Sequence, residues 1–272
     1  MGYTRIFRRL TGRQIYLTAI ALLCAATPCL SQQNSEQQPR VVHVFVALAD
    51  NEHQGIVPVP KALGNGNDPD RNLYWGAAFG VRTFFKKSAD WQQIGDITYH
   101  GGPVIISLIF RHRASGTILI ADAYYGSEIK QALVDFFTAS AGIAPPTQID
   151  SKEIQVHVNK KPDLVVYVGH DGLMDFSMEQ TFPGLGEAKR QAIVLACASK
   201  QYFGAPLKPT GAEPLLWTTN LMAPEAYTLK AALDGWIAGE TSEQIRQRAA
   251  AAYARYQKIP ERAALKLFAT GW

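Results

Sequence analysis

Two residues able to do nucleophilic chemistry close two consecutive apolar runs. His170 follows Leu164–Val168 (LVVYV), and Cys197 follows Ala192–Ala196 (AIVLA). A thiol is a poor nucleophile while protonated. A neighbouring imidazole can remove its proton and later return one to a leaving group. Flanking Gly169, Gly172 and Ala196 leave room for a substrate backbone. Each residue also has a plainer reading, Cys197 as a small buried hydrophobe and His170 as a satisfied loop histidine. Their placement at two successive run ends raises the catalytic reading to equal footing.

The N-terminus sharpens the case. Arg5, Arg8, Arg9 and Arg13 precede the short apolar stretch Ile15–Cys24, and Pro28-Cys29-Leu30-Ser31 follows. This is the pattern of a secretory signal over residues 1–31, with cleavage after Ser31. The apolar stretch is short for a membrane span of roughly 20 residues, so membrane contact is expected only through the signal before cleavage. A lipid anchor at Cys24 requires a small residue just before it, where Leu22 and Leu23 stand. Residues 32–40 read as a polar tether and 41–272 as a single domain. Of the three cysteines, only Cys197 then remains in the exported chain, an odd thiol in an oxidising compartment. The expected location is the periplasm or the exterior.

Removing the four signal arginines from the 27 Lys+Arg leaves as many basic residues as the 23 Asp+Glu. The formally neutral domain has no dense basic stripe, which excludes the usual electrostatic footprint of nucleic-acid binding.

The elements that must position His170 and Cys197 follow from hydropathy. Val41–Leu48, Val104–Arg111, Thr117–Ala123, Leu164–Val168, Ala192–Ala196 and Pro214–Thr219 read as strands. The short link His112–Gly116 makes an antiparallel hairpin of the second and third. Helices are expected through Lys87 with Asn72 or Asp70 as the cap, from Ser127 (as its own cap) to Ser140, and over Pro224–Ala238 and Glu243–Tyr256. This alternation predicts an α/β fold, a mostly parallel central sheet sandwiched between helix layers, with ligands bound outside the strands' carboxyl ends. Asp50, His170 and Cys197 all lie at such ends.

Here DLVVYVGHDG and AIVLACASK resemble the caspase-like cysteine peptidases, the fold of caspases, legumains and gingipains. In that group an apolar strand ends in His-Gly and the next ends in Ala-Cys or Gln-Cys. The likeness spans roughly residues 41–238 and is specific only in those two segments, with PLLWTTN fitting the following strand. It implies a three-layer caspase-like sandwich, His170 as general base and acid, and Cys197 as nucleophile. It also implies an oxyanion site from the N–H groups of Cys197 and Gly172, a peptide or protein substrate, and no cofactor. Asp50 or Glu52 would shape a pocket for a basic side chain, and Asp175 would line that pocket or orient His170. Asp171, inserted between His170 and Gly172, departs from the family pattern. It favours a second expectation, a non-catalytic exported binding or scaffolding domain with a degenerate site.

Other constellations carry less. His100-Gly101-Gly102-Pro103 looks like an esterase oxyanion loop, but no G-x-S-x-G accompanies it. Asp50, Glu52 and His53, with His112 or His157, have donor types suited to a metal but no matching spacing.

Overall fold

A computed structural model describes residues 38–151, 156–186 and 190–272. The signal segment, residues 1–31, and most of the tether lie outside them. Residues 38–272 form one compact unit. Its strands are β1 (Val41–Ala47), β2 (Trp91–Thr98), β3 (Val104–His112), β4 (Ile118–Tyr124), β5 (Thr147–Ser151), β6 (Val156–Lys160), β7 (Leu164–Val168), β8 (Gln191–Leu195), β9 (Glu213–Thr218) and β10 (Phe268–Ala269). Its α-helices are α1 (Val81–Lys87), α2 (Ile129–Ser140), α3 (Ser199–Leu207), α4 (Ala226–Ile237), α5 (Ser242–Gln257) and α6 (Glu261–Leu267).

Eight strands form one sheet in the order β10-β9-β8-β7-β1-β4-β3-β2, and β5 pairs with β6 as a separate ribbon. The five central strands run parallel, while β2, β3 and β10 are antiparallel additions at the edges. Because side chains alternate along a strand, β1 feeds two cores. Val42, Val44 and Val46 pack with residues of α1, α4, α5 and α6. Phe45 and Ala47 pack with Phe136 and Phe137 of α2 and Phe203 of α3. The result is an α/β fold with a mixed, mostly parallel sheet flanked by helices on both faces, consistent with a three-layer sandwich. Among the described residues, no helix is long and apolar enough to cross a membrane.

The helix expected to follow Asn72 or Asp70 begins only at Val81. Asn72 is fully buried and its amide closes turns instead. Its Oδ1 accepts from the N–H groups of Ala49 (2.9 Å) and Tyr74 (3.1 Å), and its Nδ2 donates to the carbonyls of Ala49 (2.8 Å) and Asn65 (3.0 Å). A side chain that competes this well for local backbone groups opposes a helix. A Cβ at Gly76 would also run into the carbonyl of Asp70. Residues 49–80 therefore form a tightly folded loop beside the sheet's carboxyl edge. Ser127 sits inside a short 3₁₀ turn rather than capping α2.

Candidate active site

β7 and β8 are adjacent and parallel, with Val168 opposite Leu195. Neighbouring strands lie about 4.8 Å apart, so the segments leaving them emerge side by side. His170 and Cys197 each stand two residues beyond that last pair, and both line one cavity of about 300 Å³. Cys197 occupies a sharp turn into α3. Ala198 adopts the left-handed conformation (φ 46°) and donates its N–H to the Asn220 carbonyl at 2.9 Å. A non-glycine residue held there stores strain, which the surroundings must overcome. Ser199 and Thr218 provide the bracing. Ser199 Oγ donates to the Val194 carbonyl at 2.9 Å and accepts from the Thr218 N–H at 2.9 Å, while Thr218 Oγ1 donates to the Ala196 carbonyl.

His170 is held from behind. Its Nε2 lies 2.7 Å from Asp175 Oδ2, which also accepts the Gly55 N–H at 2.9 Å. A carboxylate at Nε2 favours the tautomer protonated there, leaving Nδ1 as the basic nitrogen. Of the two places expected for it, Asp175 therefore stands against the imidazole and does not line the cavity. The His170 carbonyl accepts from Tyr167 Oη at 2.8 Å and from the Gly172 N–H at 3.1 Å.

That last contact corrects the expected oxyanion site. Gly172 N–H is engaged within the turn that Asp171 adds, and Asp171 Oδ1 accepts the Leu173 N–H at 3.0 Å. The Cys197 N–H, by contrast, has no hydrogen-bond partner among the described residues.

The expected acidic pocket is also absent from this cavity. Asp50 is buried and turned into its own loop. Its Oδ1 accepts the N–H groups of Glu52 (2.9 Å) and His53 (3.2 Å), and its Oδ2 pairs with His53 Nδ1 at 2.9 Å. Gly66 and Gly126 pack so closely on this carboxylate that neither leaves room for a Cβ. Glu52 is exposed and, like Asp50, does not line the cavity. The walls are instead apolar, from Ile56, Val57, Leu73, Met174, Leu221 and Met222. Their one carboxylate, Glu225, accepts from Tyr227 Oη at 2.7 Å and Gln257 Nε2 at 3.1 Å. No spacing signal in the sequence joins these distant segments to His170; only the sheet order does.

Two ionisations bear directly on the thiol. Burial pushes the Cys197 thiol up; the Met222 N–H, 3.4 Å from Sγ, opposes this, and the Asp171 carboxylate adds to it. Asp171 is itself wholly inaccessible, and its Oδ2 has no hydrogen-bond partner among the described residues. Burial pushes its carboxyl up to about 7, against the Leu173 N–H, with Asp175 reinforcing the rise. A resting thiolate is therefore disfavoured, and nucleophilic attack here requires a base during the step rather than before it.

Among the described residues no group of three or more His, Cys, Asp or Glu side chains is placed to hold a metal ion, so Asp50, Glu52 and His53 do not assemble such a site with His112. The side chain of His157 lies outside the described ones. Comparison of the sequence with protein-family models found none that matches, and comparison with curated proteins likewise found no match.

Proposed function

We propose that this protein is an exported, caspase-like cysteine hydrolase that cleaves a peptide or related amide bond. The observation carrying this reading is that adjacent parallel strands deliver His170 and Cys197 into one cavity, with Asp175 bonded to the far nitrogen of the imidazole. His170 Nδ1 removes the thiol proton as Sγ attacks the substrate carbonyl carbon. The oxyanion accepts the unpartnered Cys197 N–H. The imidazolium then protonates the departing amine, the C–N bond breaks, and a thioester remains on Cys197. Water attacks the thioester, His170 takes the water's proton, and the thiol leaves with a proton returned from His170.

A second reading, a non-catalytic binding domain, draws on the upward-shifted thiol and the engaged Gly172 N–H. The two are separated by peptidyl chloromethyl ketones carrying Leu, Lys or Asp beside the electrophile. The catalytic reading expects one of them to alkylate Cys197 much faster than iodoacetamide does, with the adduct located by mass spectrometry. Uniformly slow alkylation by all of them favours the binding domain.

Asp175→Asn tests how the ring is held. Removing a charge-assisted hydrogen bond at a partly exposed carboxylate is expected to lower kcat about tenfold while leaving KM unchanged. An unchanged kcat removes Asp175 from the mechanism.

A further inference from the structure

A larger cavity, of about 400 Å³, shares no lining residue with the one holding Cys197. It lies against the sheet face that carries α2. A hydrogen-bonded polar row crosses its floor over successive strands. Tyr99 Oη, just past β2, lies 3.3 Å from Ser107 Oγ on β3, and Ser107 Oγ donates to Asp122 Oδ1 on β4. Asp122 Oδ2 is 2.6 Å from His43 Nε2 on β1. Register explains the row. Ser107 is directly opposite Asp122, and His43 is the diagonal neighbour, two residues before Phe45, which pairs with Asp122. Across the cavity α2 contributes Asp135, which accepts from Tyr124 Oη at 2.8 Å and from Gln131 Nε2 at 2.9 Å.

A carboxylate in the middle of an otherwise apolar strand (ILIADAY) is costly, and apolar packing usually serves stability as well or better. Asp122 nevertheless stands there, and it lines open volume rather than packing into the core. Each of the two carboxylates has acceptor capacity beyond the bonds it makes, since an ionised carboxylate offers about four lone-pair sites. The described lining includes no Lys or Arg. Even with His43 protonated, its two aspartates leave it net negative. Phe45, Tyr99 and Tyr124 supply aromatic rings, and Pro145, Pro146 and Pro162, flanking the β5–β6 ribbon, complete an apolar wall.

From this charge complementarity we infer a second ligand site, one that takes a small organic cation: a primary amine on an apolar or aromatic body. The ammonium group sits between Asp122 and Asp135, where it donates hydrogen bonds to both, and the body lies against the rings, where cation–π attraction adds to burial. The volume suits ~10–15 non-hydrogen atoms, judged by the ~30 Å³ that a liquid water occupies.

Three probes with one ring and one side-chain length separate charge from shape: phenethylamine, 2-phenylethanol and phenylacetate, each titrated calorimetrically into the full chain. Phenethylamine is expected to bind at least tenfold more tightly than the alcohol, with phenylacetate weakest, since ammonium contacts with rings and carboxylates are each strengthened by partial burial. Asp122→Asn is expected to erase that preference. If this variant does not fold, Asp135→Asn on α2 provides the same comparison. Equal affinity for amine and alcohol, or no saturable binding of the amine up to about 10 mM, where the free energy falls below that of a specific small-ligand site, overturns the assignment.

Discussion

His170→Ala is expected to lower turnover about 10³-fold at neutral pH, within the span of general acid–base catalysis, and the deficit is expected to shrink as pH rises. The second expectation separates a base from a structural histidine. In the proposed mechanism the thiol, pushed upward by its burial, is protonated at neutral pH, and His170 accepts its proton as the new S–C bond forms. Without the imidazole, only the fraction already ionised can attack. That fraction grows about tenfold per pH unit below the thiol's own titration. The variant's pH–rate profile should therefore climb steadily through the alkaline range, while the native profile is flatter there. A deficit of constant size across pH would mean that His170 only braces the turn, and the dyad would then lose its base. Cys197→Ala sets the floor for this comparison, since it removes the covalent step altogether.

Much of the scaffold was legible because the signals are local. The run LVVYV is β7 to the residue, and the apolar continuity of β1, β4 and β8 foretold strands buried on both faces. The neighbouring positions of His170 and Cys197 were legible for the same reason, since adjacent parallel strands that end together deliver the residues that follow them side by side. What the sequence hid was decided by side chains acting at a distance. Nothing near Asn72 announces that its amide binds Ala49, yet those bonds replace the first turns of an expected helix with the loop that walls the cavity. Asp50 stands at a strand's carboxyl end, as a pocket residue would, but its own loop's N–H groups capture it first. The connection from β7 to β8 holds only the 3₁₀ turn Gly172–Met174 as helix among its described residues. The strand β2 (WQQIGDIT) alternates too weakly to declare itself, and pairs because β3 offers it an edge.

Asp171 is the residue by which the site departs from the caspase-like pattern proposed for it, and its effect is measurable without any substrate. An ordinary carboxyl titrates near 4 when unfolded, whereas burial in the folded protein pushes Asp171 up to about 7. Between those values the folded state binds the proton and the unfolded state does not. The sign follows from linkage: stability falls as pH rises from about 4 to about 7, and the full penalty persists above that. The gap corresponds to about 4 kcal/mol at most. Asp171→Asn preserves an oxygen for the Leu173 N–H and removes the charge, but it places an amide nitrogen where Oδ2 already lacks a partner. Stranding that group offsets about 1–3 kcal/mol. The variant is thus expected to exceed the native protein by about 2 kcal/mol at pH 8, or about 5 °C in Tm for a domain of this size. At pH 5, where Asp171 is already neutral, the gain should vanish. The same substitution withdraws a negative charge that raises the Cys197 thiol, so the pH profile of iodoacetamide labelling should move to lower pH. A stability gain that is the same at pH 5 and pH 8 would show that Asp171 does not titrate in this interval. If the labelling shift does appear, Asp171 holds the nucleophile in its protonated form above neutral pH, and the departure from the family pattern makes Cys197 more dependent on His170 rather than inert.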